Sequence, residues 1–201
     1  MRKPAQRNPN TLWRRPGFWW WTLGAALLLL VVFGGGVYAS SRLEENDAFC
    51  ASCHTEPEVT YFGRTQTASA VDLASFHHGK TTRCIDCHSG PGIDGRLNTI
   101  MTLGVRDLLL YMTHQAKQPA PLTQPIPDAN CLKCHGDVPQ TQSFQSHFHA
   151  FLSRWQAQDP NAATCVDCHA THTIDGQANL DYLQEARTEA VCDHCHRALG
   201  D

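Results

Sequence analysis

Cys50-Ala51-Ser52-Cys53-His54 is the stretch on which this chain turns. The same pattern, Cys-x-x-Cys-His, returns as CIDCH at Cys84–His88, CLKCH at Cys131–His135, CVDCH at Cys165–His169 and CDHCH at Cys192–His196. The five copies use all ten cysteines. Two thiols so spaced can each add across one vinyl group of a porphyrin, and the His beside the second thiol reaches the iron from one face. That is the attachment pattern of c-type haem. A zinc half-site or a redox disulfide would use the CxxC but would not ask for a His directly after it. The sequence therefore implies five covalently bound haem c. They would be attached through Cys50, Cys53, Cys84, Cys87, Cys131, Cys134, Cys165, Cys168, Cys192 and Cys195, with His54, His88, His135, His169 and His196 as proximal iron ligands.

Upstream of Cys50 the chain changes character. Residues 1–41 hold Arg2, Lys3, Arg7, Arg14 and Arg15 with no acid, and Pro16 to Ser41 carries no charge. The stretch Phe18–Ala39, FWWWTLGAALLLLVVFGGGVYA, is long enough to cross a bilayer as one helix. The preceding positive charge predicts a cytoplasmic N-terminus, and Trp19, Trp20, Trp21 and Tyr38 stand where interfacial aromatic belts belong. A signal peptide cleaved near Val37-Tyr38-Ala39 is the competing reading, but the apolar stretch exceeds the roughly 7–15 residues of a signal core. The expected localisation is the cytoplasmic (inner) membrane, crossed once, with the haem domain extracytoplasmic. The rest of the chain has eleven bases against nineteen acids, a net of −8. That balance excludes nucleic acid as a partner and suits a basic docking face on another protein.

Arg42–Asp201 gives five haems 32 residues each, so the macrocycles must themselves form the core. The expected fold is mainly α with long loops: a single N-terminal transmembrane helix followed by a compact multihaem domain. The motifs start at 50, 84, 131, 165 and 192, and the repeated interval of 34 suggests two dihaem units. The chain then divides into a basic N-terminus (1–17), the transmembrane helix (18–39), a first dihaem unit (42–118) and a Pro-rich linker (119–130). A second dihaem unit (131–176) and a fifth-haem segment (177–201) follow. Gly90-Pro91-Gly92 breaks the chain after the second motif. Apolar residues from Leu97 to Met112 recur at three- and four-residue spacing and predict a helix over Leu97–His114. That stripe would cover haem or lie against the membrane surface. Further helices are predicted around Phe144–Gln158 and over Gln177–Ala190.

Each iron has a second axial position. His77, His78, His114, His147, His149 and His172 are the candidate distal ligands; His194, between the cysteines of the last motif, is poorly placed for the iron held there. His172 follows His169 too closely to close the same iron and would reach a neighbouring one. One of each pair His77/His78 and His147/His149 is expected to ligate. Apart from Met1 the only methionines are Met101 and Met112, so bis-His ligation and a low-potential relay are expected.

An N-terminal anchor followed closely by FCASCH, a second CxxCH 34 residues on, GVRDLLLYMTH at Gly104–His114, FQSHFHAFL at Phe144–Leu152 and a later CVDCH together resemble the NapC/NirT family. The likeness spans roughly Phe18–His172. It implies a membrane-anchored multihaem cytochrome that oxidises quinol, menaquinol or ubiquinol, and feeds a periplasmic reductase. Three features depart from the family: the fifth motif at Cys192–His196, the absence of a Met two residues after His54, and the short ending Cys168-His169-Ala170-Thr171-His172. A single anchor with five haems is also similar to the pentahaem subunit of alternative complex III, a part of a larger assembly.

Electron transfer is the minimum function, and quinol dehydrogenase is the enzyme it would be. The leading expectation is transfer from the membrane quinol pool to an extracytoplasmic acceptor. The alternatives are a subunit fed by a neighbouring protein, and a multihaem nitrite or sulfur-oxyanion reductase. Quinol oxidation needs a proton acceptor. Glu44, Glu45 and Asp47 are nearest the anchor in sequence, with Lys80, Asp107 and His114 reachable only through the fold. Glu44, Asp107 and His114 are the candidate quinol-site residues, and a solvated charged collar is the plain alternative for Glu44–Asp47.

Overall fold

The computed structural model describes residues 16–53, 56–122, 125–141 and 146–199. The chain forms two compact units, Met1–Arg42 and Leu43–Asp201.

The first unit is one helix, α1 (Pro16–Leu43). Its side chains are exposed all round, Trp20 and Leu29 as much as Val32 and Phe33. Over Gly17–Leu43 it is long and apolar enough to cross a membrane. Twenty-eight residues rise about 42 Å, more than the roughly 30 Å of bilayer hydrocarbon. The helix passes through Val37-Tyr38-Ala39 without a break.

The second unit is helical, with no strand among the described residues and only isolated bridges from Leu183 to His169 and Gln177. Its helices are short: α2 (Asp47–Cys53), α3 (Glu58–Thr65), α4 (Leu73–His78), α5 (Cys84–His88), α6 (Gly92–Thr99), α7 (Val105–Met112), α8 (Asp128–Cys131), α9 (His147–Gln158), α10 (Cys165–Cys168) and α11 (Glu185–Leu199). Among the described residues its buried apolar side chains are Ile100, Trp155, Ala163, Ala170 and Tyr182. So few cannot make a conventional core for a chain of this length.

Four helix boundaries differ from expectation, among them the end of α11 at Leu199 rather than Ala190. The first helix after the second motif begins at Gly92 rather than Leu97, and runs through a π-helical turn, Ile100–Gly104, into α7. Gly92 starts it at φ 68, and Gly90 and Gly95 touch backbone to backbone, where an added Cβ would lie 2.5–2.9 Å from the neighbouring chain. Thr99 Oγ1 locks this approach, accepting from Gly90 N and donating to Gly95 O. The same helix stops at Met112, and His114 lies beyond it at φ 55.

The helix expected at Gln177–Ala190 begins only at Glu185. A 3-10 turn (Ala178–Leu180) and two left-handed residues, Asp181 and Tyr182, occupy the earlier part. The reason is tertiary. The segment folds back on the fourth motif, burying Tyr182, whose carbonyl accepts from Ala170 N, while Gln184 N donates to Cys168 O. Helix α9 begins at His147; residues 142–145, including the expected start at Phe144, lie outside the described residues.

The stretches on either side of the Pro-rich segment are stitched together. Leu73 N and Ala74 N, opening α4, donate to the carbonyls of Ala170 and Thr171.

Candidate haem centres

Each of α2, α5, α8, α10 and α11 carries or leads into a CxxCH motif. In a helix, residues three apart share a face, so in α5, α10 and α11 the two thiols of the motif point to the same side. Cys50, Cys84, Cys87, Cys131, Cys134, Cys165, Cys168, Cys192 and Cys195 are free thiols. No cluster of three or more His, Cys, Asp or Glu suited to a metal ion is found among the described residues. His54 and Thr55 lie outside the described residues.

The motifs meet in chain order. The Cys50 and Cys84 thiols share a hydrogen bond that draws Cys50 down and pushes Cys84 up. A matching bond joins Cys131 and Cys165. It lowers Cys131 to about 7 and raises Cys165. Between the second and third motifs, Asn130 Nδ2 donates to Cys87 O at 2.7 Å, and Lys133 Nζ to Ser89 O at 2.7 Å and to Asp86 O. Between the fourth and fifth, the Cys192 charge helps raise Cys168, second to burial.

The histidines are the most informative part. Four motif histidines are described, and each faces one histidine from outside the motifs. His88 faces His172 at a ring-centre distance of 6.1 Å, His135 faces His77 at 5.9 Å, His169 faces His149 at 6.2 Å and His196 faces His147 at 6.5 Å. Two imidazoles on opposite sides of one metal have ring centres about 6.2–6.4 Å apart, from metal–nitrogen bonds of about 2.0–2.1 Å and ring centres about 1.1 Å behind the nitrogens. The ring planes are near parallel in two pairs, at 22° and 4°, and near perpendicular in two, at 76° and 73°. Rotation about the metal–nitrogen axis permits both. The arrangement fits bis-His haem iron at four motifs.

Ring orientation is fixed from behind. His77 Nδ1 lies 3.0 Å from Leu73 O, and His169 Nδ1 lies 2.9 Å from Asp181 O. A proton on Nδ1 leaves Nε2 with its lone pair free, the state a metal ligand needs. His172 is stacked on Tyr61 at 4.1 Å and 7°. Arg64 lies over the Tyr61 ring, donates to His172 O at 2.5 Å and pairs with fully buried Asp72 at 3.1 Å. Burial, then the charge of His88, lower His172 to about 4; Asp72 pulls the other way and Arg64 adds the smallest push down. Burial likewise lowers His88 and, with His169, His149.

The other candidates are placed differently. Only one of each adjacent pair was expected to face a motif; His77 does so alone, but His147 and His149 both do, against different partners. Helix α9 explains this, since positions two apart project about 200° apart around the axis. His78 Nε2 instead meets Asp47 Oδ2 at 3.3 Å. His194 packs edge-on against Trp155 at 5.1 Å and lies 3.4 Å from Asp159. Exposed His114, past the end of α7, faces no motif histidine among the described residues.

Of the quinol-site candidates, Glu44 precedes α2, Asp107 lies on α7 and His114 follows it. Glu44 pairs with Arg96 at 2.6 Å, and its Oε1 would lie 3.8 Å from a Cβ on Gly104. Burial raises Glu44 above the usual carboxylate range more than Arg96 lowers it. Asp107 lies one turn beyond Gly104, half-buried, while His114 is seven residues further on. The solvated collar does not hold at Asp47, which is 8% exposed.

What sequence reasoning missed is Asp47's task. Its Oδ1 accepts from Cys84 N at 2.9 Å, and Asp128 Oδ1 accepts from Cys165 N at 2.7 Å. The signal was present in the twin words Asp47-Ala48-Phe49-Cys50 and Asp128-Ala129-Asn130-Cys131.

Residues 111–197 match the family model of cytochrome c3. No curated protein and no solved structure matches the chain. The matched stretch holds the third, fourth and fifth motifs. Together with the histidine pairs it defines a multihaem c-type cytochrome, an electron-transfer protein carrying covalently bound haem c. Its apolar α1 is compatible with a single membrane anchor.

Proposed function

We propose that this chain is a membrane-anchored pentahaem cytochrome that accepts electrons from the quinol pool and delivers them to an extracytoplasmic reductase or a neighbouring subunit. The observation that carries the relay is the set of four histidine pairs on motifs that touch in chain order. The haem count of five rests on the five motifs, and the quinol link on α1 together with the resemblance to NapC/NirT cytochromes.

Bound haem c supplies a one-electron iron couple, at lower potential with two histidines than with His and Met. The chain's own part is to hold eight imidazoles in pairs, four from the motifs and four from outside them. Oxidation of a quinol yields two electrons and two protons. Glu44, raised by burial and steadied by Arg96, is the carboxylate best prepared to take a proton and pass it to solvent, with Asp107 as the second acceptor. The π-helical turn Ile100–Gly104 beside Glu44 widens the helix there, as such turns do at functional sites.

The test uses the full-length protein purified in detergent. A menaquinol or ubiquinol analogue should reduce it, and Glu44→Gln should slow that reduction at least tenfold with haem content unchanged. Reduction by dithionite but by no quinol would assign the chain to an assembly that feeds it through a partner protein.

A further inference from the structure

The two CxxCH pairs are joined by the same device. Asp47 opens α2 and lies three residues before Cys50; Asp128 opens α8 and lies three residues before Cys131. A first-turn carboxylate ordinarily serves the dipole of its own helix. Here one oxygen of each reaches 37 residues along the chain to the N–H of the first cysteine of the next motif, Cys84 or Cys165. These N–H groups open α5 and α10, where a helix has no backbone acceptor for its first donors. Each carboxylate therefore caps its partner's helix in trans.

The surroundings repeat as well. At the capped helices Asp86 Oδ2 accepts from Arg83 N at 2.8 Å, and Asp167 Oδ2 from Thr164 N at 2.7 Å, a local cap three residues into each motif. The second carboxylate oxygen is held by the element that precedes the second motif: His78 on α4 for Asp47, and Gln156 on α9 for Asp128, at 3.3 and 2.6 Å. In both modules the capped cysteine has its thiol hydrogen-bonded to the cysteine three residues after the Asp. Neither aspartate is among the motif residues.

We propose that Asp47 and Asp128 are twin positioning residues, each clamping two attachment helices so that the groups held at Cys50 and Cys84, and at Cys131 and Cys165, form two close-set haem pairs. This rests on the haem reading above. A carboxylate so placed does two separable things. Its oxygen fixes the spacing of the helices, and its negative charge favours the ferric state on both sides of the clamp.

The experiment uses the full-length chain matured with covalent haem, with Asp47 and Asp128 each changed to Ala and to Asn, and exposed Asp137→Ala as control. Intact mass first counts the haems; a wild-type chain without them overturns the haem reading itself rather than the clamp. Soret circular dichroism then reads the coupling between close haems, and a redox titration reads their potentials. Asn keeps an acceptor oxygen and loses the charge. It should retain the Soret couplet while two of the potentials rise. Ala should lose half or more of the couplet and raise the same potentials, with Asp137→Ala like wild type. Where an Ala variant fails to mature, the Asn variant decides: unchanged potentials, or a lost couplet, overturn the proposal. Ala variants with full haem load and wild-type couplet and potentials overturn it too.

Discussion

Removing the carboxylate of Asp72 tests how firmly His172 is held. Asp72 is 1% exposed and does two jobs: its Oδ1 accepts from Ser75 N at 2.8 Å as the N-cap of α4, and its Oδ2 pairs with Arg64. In Asp72→Ala the lost cap costs about 1 kcal/mol. The charge-assisted bond to Arg64, whose side chain keeps a quarter of its surface in water, adds about 2 kcal/mol. A loss of about 3 kcal/mol in a unit of this size lowers the melting midpoint by roughly 6–12 °C. Asp72→Asn keeps a good N-cap and loses only the charge, so its shift should be about 4–8 °C. The assay is thermal unfolding of the haem-loaded chain followed by far-ultraviolet dichroism, with low-temperature EPR recorded alongside. Because Arg64 also donates to His172 O, Asp72→Ala should convert one low-spin haem to high spin before the chain melts. A midpoint within about 2 °C of wild type, or Ala and Asn variants that melt together, would refute this account of the network.

His172→Met should raise the potential of one haem while the other potentials hold, and an unchanged titration and EPR spectrum would exclude His172 as a ligand. Before haem is attached, burial lowers His172 to about 4 in the folded chain, so the unfolded haem-free chain gains a proton there that the folded one refuses as pH falls from about 6.5. Stability should therefore drop across that window by about 3 kcal/mol. Urea unfolding of the haem-free chain at several pH values checks this, and His172→Met should flatten the slope; equal slopes in both proteins would refute it. His147→Ala and His149→Ala should each convert a different haem to high spin and the double variant two, whereas His78→Ala should leave the low-spin count intact. A silent His147 or His149 variant would break the pairing described for α9.

Much of the fold was legible because five CxxCH words in so short a chain leave little room for anything but short helices and loops around the attached groups, and because an uncharged apolar run has few alternatives. The repeated interval of 34 pointed to the doubled module, yet the histidines gave no hint of it. Their positions relative to the motifs differ, since distal ligands are donated through space and not along one helix. His77 and His78 are indistinguishable in sequence; the turn of α4 sends one towards His135 and the other towards Asp47. The late start of α11 was equally hidden, because burying Tyr182 against Ala170 is a long-range matter that overrides the helical preference of Gln177–Leu183.

The crossing of histidines between the two halves also governs how the molecule can be made. His88 is synthesised well before His172, which follows 84 positions later, and His77 precedes its counterpart His135 by 58. Neither half can complete its own axial ligation, so a fragment ending in the Pro-rich segment is no miniature cytochrome. Proteolysis between the halves would remove no ligand from the mature protein, but a stalled chain would leave His88 and His77 without their opposites. Two stretches that lend each other histidines in this way make one carrier that must be synthesised whole.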